Sequence, residues 1–226
     1  MNEGEEPMAD AGRAPNALRL QILATEHWSL LATRSMTWNE MFARTGMYLT
    51  VLSGVTVALA LMAQAAGFGA TFRLFALLLL PVVLLLGLGT QIRLGDARGE
   101  DVWLVVGMNR LRHAYLELAP DLAPYFITSP YDDPVGIMRT YGPEAQVTPA
   151  RLLSGTPILV GIINAVVAGV LVTFVADALG TSSTLRIGIG AIGGVVYMVA
   201  LALVPVRQIA RIRREWQPRF PSPPAE

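Results

Sequence analysis

The chain has 226 residues, of which 53% are hydrophobic and 15% charged, so it is too apolar for an ordinary soluble domain and most of it must face lipid or other helices. The 17 basic residues, all arginine, cancel the 17 acidic ones, which leaves no net charge to attract nucleic acid. The absence of cysteine excludes a disulfide framework, a thiolate nucleophile and a cysteine metal site.

Residues 1–15 are acidic and rich in Gly, Ala and Pro, without the basic start and apolar stretch of a cleavable signal, and read as a disordered N-terminal tail. Residues 16–119 read as a long helical hairpin. Its first arm begins at an Asn16 cap and carries Leu20, Leu23, Leu31, Trp38 and Met41 in an apolar stripe, stepping by threes and fours. It leads into a first transmembrane span at about 46–66, within an uncharged run long enough to cross ~30 Å of hydrocarbon. Gly67, Phe68 and Gly69 mark a turn. A second span at about 74–92 follows, with Pro81 as a kink site and Gly95 and Gly99 as sites of weakness beyond it.

The second arm, 100–118, presents Leu104, Met108, Leu111, Tyr115 and Leu118 at similar spacing before Pro120, so the two arms are expected to pack together. Centring the turn near Phe68 sets Leu30 against Val106. It also predicts two ion pairs one heptad apart, Arg19 with Glu117 and Glu26 with Arg110, which set register more than stability.

Residues 120–151 form a proline-rich loop, in which Asp132 and Asp133 beside Pro134 read as solvated acids of a turn, or as ligands for a cation or for a partner's arginine. A second hairpin at 152–206 holds span 3 at about 152–176 and span 4 at about 187–206. The basic stretch with Arg207, Arg211, Arg213 and Arg214 reads as a membrane-surface anchor. The remaining residues to 226 form a proline-rich tail, a disordered end or an extended ligand segment.

Arginines flanking the spans set the orientation. Arg34, Arg44, Arg93, Arg98, Arg151 and the four of the basic stretch fall on one side, against Arg73 and Arg186 on the other. Both termini are therefore expected in the cytoplasm. The fold class is an all-α membrane protein with four transmembrane helices in two hairpins and a long cytoplasmic helical extension.

Within the spans, Asn164 lies mid-membrane, where an amide should face another helix or water. Asn164, Thr56 and Thr173 are the candidates for interhelical polar contact or a pore lining. Thr50, Gly54 and Ala58, then Gly161, Ala165 and Gly169, then Gly190 and Gly194 repeat small residues at four-residue steps and predict close helix packing. No Asp, Glu, Lys, Arg or His interrupts the interior of a span, which argues against a proton relay, voltage sensor or ion-coupled transporter.

His27 and His113, the only histidines, read as surface or interface residues rather than metal ligands. No catalytic constellation, nucleotide loop or cofactor motif is legible. The residues point to a non-enzymatic scaffold or regulator in a bacterial inner membrane, presenting a cytoplasmic helical hairpin to a protein partner. The alternative is a homo-oligomeric ion channel or pore-forming membrane effector. The expected partners are the lipid bilayer, further copies of the chain and a cytoplasmic protein, with no nucleic acid and no cofactor.

Overall fold

An uninterrupted helix α1 runs from Asn16 to Ala66, where the chain offers no proline and good helix formers. Its 51 residues span ~75 Å at 1.5 Å per residue, well beyond the ~30 Å hydrocarbon core of a bilayer. Gly67 takes a left-handed φ of +65°, a conformation that ends a helix at low cost only for glycine. Helix α2, Ala70–Leu118, then continues through Pro81, Gly95 and Gly99 without a break. The weakness expected at the two glycines is overridden in the context of the whole helix. A 3₁₀ helix at Pro120–Tyr125, helix α3 at Pro134–Tyr141, helix α4 at Thr156–Ala178 and helix α5 at Ser183–Glu215 complete the order.

The computed structural model describes residues 15–142 and 155–224. The described residues contain helices and no strand. Four of the helices are long and apolar enough to cross a membrane, as a multi-pass membrane protein requires. The chain divides into two compact units. One, the span unit, comprises Met36–Asp101 and Gln146–Gln217; the other, the tail unit, comprises Met1–Ser35, Val102–Ala145 and Pro218–Glu226.

In the span unit, the core gathers Met41, Tyr48, Ala76, Leu80, Val83, Leu94, Ala97, Val160 and Val167. Helix α1 contributes through Tyr48, Leu52, Val55 and Leu59, whereas Gly54 and Ala58 lie exposed on its opposite side. Close packing through Gly54 and Ala58 is therefore not found among the described residues, because the bulkier aliphatic face buries more apolar area against the core.

Helices α4 and α5 do approach closely. A Cβ on Gly169 would come 2.9 Å from the Gly190 carbonyl oxygen, and one on Gly194 would come 2.9 Å from that of Ala165. Only hydrogen on these Cα atoms lets the two backbones meet. Gly161 faces Leu201 and Gln91 at similarly short range.

In the tail unit, α1 turns Leu23, His27, Leu30 and Arg34 inward while Leu20 and Leu31 are exposed. This corrects the expected stripe. The seam has helical spacing, yet it includes polar positions that an apolar count passes over. Leu30 packs on Gly107, where a Cβ would come 2.9 Å from Leu30 Cδ1; Gly107 neighbours the expected Val106. Val105, Val106, Met108, Asn109 and Leu111 are all buried on α2. More than one face of α2 is covered, because α1 packs on one and the segment around Tyr131–Tyr141 on another.

Candidate functional site: a clasped tail and a buried polar chain

Asn109 and Arg110 of α2 reach the same short stretch of loop. Asn109 donates from Nδ2 to the Tyr131 carbonyl at 2.7 Å, and its Oδ1 accepts from Thr140 at 2.9 Å and from Arg112 at 2.7 Å. Gly136 lies so close to the Tyr131 carbonyl that a Cβ would overlap it. Asp133 caps α3 by accepting from the Gly136 amide at 2.9 Å, the role its place before Pro134 permits. Residues 129–136 are thereby held as a shelf against α2.

The tail lies on that shelf. The Asp132 amide donates to the Phe220 carbonyl at 3.1 Å, and the Phe220 amide donates back to Asp132 Oδ1 at 2.7 Å. Asp132 Oδ2 accepts from the Arg219 amide at 3.0 Å and from Arg110 Nε at 2.7 Å. Ser222 Oγ donates to Asp133 Oδ1 at 2.7 Å. The Phe220 ring stacks on His113, with centroids 4.0 Å apart and planes at 22°, and Tyr131 borders the same imidazole at 6.5 Å.

Asp132 is fully buried. Burial alone would raise its carboxyl, but the amides of Arg219 and Phe220 and the Arg110 guanidinium outweigh it and hold it below the ordinary range. Asp133 behaves likewise, with burial offset by the Ser222 hydroxyl and the Gly136 and Ser222 amides. Such charge-assisted bonds are roughly twice as strong as neutral ones.

A second polar constellation lies among the spans. Tyr48 donates to Asn164 Oδ1 at 2.9 Å, Asn164 Nδ2 to the Tyr197 hydroxyl at 3.0 Å, and Tyr197 to Gln91 Oε1 at 3.1 Å. Gln91 Nε2 closes the chain on the Pro157 carbonyl at 2.8 Å. One side chain from each of α1, α2, α4 and α5 takes part, with the Pro157 carbonyl as a second contribution from α4. Gly87 leaves the space that the Asn164 carboxamide fills, and Asn164 is fully buried and bonded at both ends.

Thr56 and Thr173 instead bond carbonyls of their own helices, those of Leu52 and Gly169. The three polar candidates are thus not gathered into one lining.

Charges collect at both ends of the span unit. Asp177 accepts from Arg186 and pairs with Arg73 at 3.3 Å, which brings the 67–69 turn and the 179–182 loop to one end. Elsewhere, Arg93 meets Glu40 through Nε and Nη2, at 3.1 and 2.9 Å, and Glu100 through Nη1 at 2.6 Å. Arg44 also pairs with Glu40, and these two arginine bonds lower the Glu40 pKa to about 2. Trp38 donates to Asp101 at 3.2 Å.

The predicted hairpin pairs fare differently. Arg110 is engaged by Asp132, and Glu26 takes no part in an ion pair among the described residues. The buried Asp132 carboxylate, already holding two amides, is the stronger acceptor for Arg110. Arg19 and Glu117 border one shallow cavity with Ile22, Leu23 and Leu118, and the partner of Glu117 is His113 at 3.7 Å. His27 stacks on Tyr115 at 5.8 Å, so the two histidines meet different aromatic rings. The side chains of Arg207, Arg211, Arg213 and Arg214 lie outside the described ones, although the backbone there is helical.

No protein-family model matches the chain, and comparison with curated proteins and with solved structures finds no match either.

Proposed function

We propose that this is a non-enzymatic membrane scaffold or regulator whose tail unit faces the cytoplasm of a bacterium and receives a protein partner. The observation that carries the reading is the tail unit's construction. It joins three separate stretches of sequence through buried, fully bonded polar groups such as Asn109 and Asp132, an ordering that a solvated extension of two spans does not need. It also leaves large apolar side chains exposed outside the spans, with Ile22 at 59%, Trp28 at 71%, Tyr125 at 78% and Ile127 at 97%. Exposed anchors of this kind, aromatic ones above all, suit a protein interface.

The cytoplasmic assignment rests on the arginine asymmetry. The proposed arrangement of the spans as two hairpins is supported by the short 67–69 and 179–182 connections and by the Asp177 cluster.

The test is photocrosslinking in native membranes, with a photoreactive residue at Trp28 or Ile127 and, as control, at the span position Leu61. A discrete heterologous adduct is expected from the first two sites and not from Leu61. Adducts to lipid or to further copies alone would sink the reading, and ion flux through the purified chain in liposomes would then favour an oligomeric channel.

A further inference from the structure

We infer that residues 218–222 are an exchangeable ligand in a peptide site, and that the partner engages the same site through an extended segment carrying an aromatic residue, then proline, then a hydroxyl residue. The inference rests on the reading of the tail unit as a partner-binding module.

The contacts of the tail are those of peptide recognition rather than of a core. Extended peptides are commonly held through main-chain bonds, with pockets for selected side chains supplying specificity. Here Asp132 makes three of the main-chain bonds, one through its own amide and two through its carboxylate. The His113 ring supplies the aromatic seat, and Asp133 takes the hydroxyl of Ser222. Every one of these groups belongs to α2 or the 129–136 shelf.

Most of the shelf is organised without the tail. Tyr131 is fixed by Asn109, and Asp133 by its cap on α3. Arg110 keeps Asp132 neutralised when the amides leave. The site is therefore preorganised for a ligand of this class.

The tail itself is short and rich in proline, with Pro218, Pro221, Pro223 and Pro224 around Arg219, Phe220 and Ser222. Proline lowers the entropy that an extended segment loses on docking. Such a segment binds without a fold of its own, and one of the same chemistry on another protein can replace it.

The experiment uses the full chain in nanodiscs and a fluorescent synthetic peptide of residues 217–224. In the Phe220→Asp chain, loss of the ring and repulsion from Asp132 vacate the seat. Saturable binding is expected there, with at least tenfold weaker binding to the unaltered chain, whose own tail competes. A peptide with alanine in place of phenylalanine should also bind at least tenfold more weakly.

Should the Phe220→Asp chain misfold, hydrogen exchange on the unaltered chain decides. Excess unlabelled peptide should accelerate exchange of the Arg219 and Phe220 amides at least tenfold. Unchanged exchange, or equal binding of the alanine peptide, overturns the inference. A heterologous crosslink at Trp28 that persists under those results leaves the partner-binding reading standing alone. Peptide exchange without any heterologous crosslink leaves the site standing and removes the reading.

Discussion

Asp132 accepts from two amides 87 and 88 residues away and from Arg110 on α2. Its carboxyl is depressed, so the stabilisation it gives is complete above the ordinary value of 3.8 and is lost as pH falls through the lower folded value. Protection of the Arg219 and Phe220 amides from hydrogen exchange should therefore hold from neutral pH to about 5 and fall away below the usual carboxylate range. Asp132→Asn should remove Asp132's share of that pH dependence, leaving the share that Asp133 contributes through Ser222, and weaken docking at neutral pH. Each lost charged bond is worth about 1.5–3 kcal/mol, and because the tail is short the loss should appear as local release rather than global unfolding. The same residue shows where sequence reading stops. The sequence suggests solvated turn acids beside Pro134, or ligands for a cation or a partner's arginine; Asp132 is instead buried and paired with Arg110 of its own chain, because local sequence carries no mark of partners so far along the chain. Phe220, flanked by prolines, reads as part of a loose end because its seat is built by other segments.

At the level of elements, Asn164 was legible. An amide in an uncharged run must find a polar partner, and it does so between two tyrosines. The partners themselves are not marked in the sequence: Tyr48 and Gln91 lie near span ends, where such residues also suit a membrane interface, and Tyr197 stands alone in the middle of span 4. Asn164→Leu removes both bonds and leaves the Tyr48 hydroxyl without its acceptor, so a loss of about 1–3 kcal/mol is expected in reversible unfolding in micelles. Thr56→Ala, whose hydroxyl serves only its own helix, should stay within about 0.5 kcal/mol. The small residues of α4 and α5 were readable for a related reason, because glycines at four-residue steps have few other uses in an apolar helix. Gly54 and Ala58 share that spacing yet face outward, since the pattern records a smooth face and not what covers it. The Glu40–Arg93 pair also lay within reach of the expected register and was passed over in favour of charges nearer the arm ends.

For the whole molecule, the long uncharged apolar runs sufficed to identify four helices long and apolar enough to cross a membrane, because the apolar demand of a bilayer is stronger than any local propensity. Division into two units was not readable, since it depends on residues 102–145 and 218–226 coming together. The proposed orientation has a direct check, made simple by the natural absence of cysteine. In intact spheroplasts a membrane-impermeant maleimide should label Ser182→Cys and leave Ser29→Cys untouched until the membrane is opened. The reverse pattern would invert the topology and place the tail unit outside the cell.

Assembly of the tail unit from three stretches also imposes an order on biosynthesis. Residues 16–35 and 102–142 can leave the ribosome and meet early, but the seat on His113 stays empty until residue 220 is made, after every span has been translated. At about 5–20 residues per second, more than 70 residues separate the shelf from its ligand, so a nascent chain exposes the vacant groove for several seconds. If the proposed exchange holds, a partner segment of matching chemistry would meet the site during that interval without competition from the tail, an advantage it loses once residues 218–222 have docked.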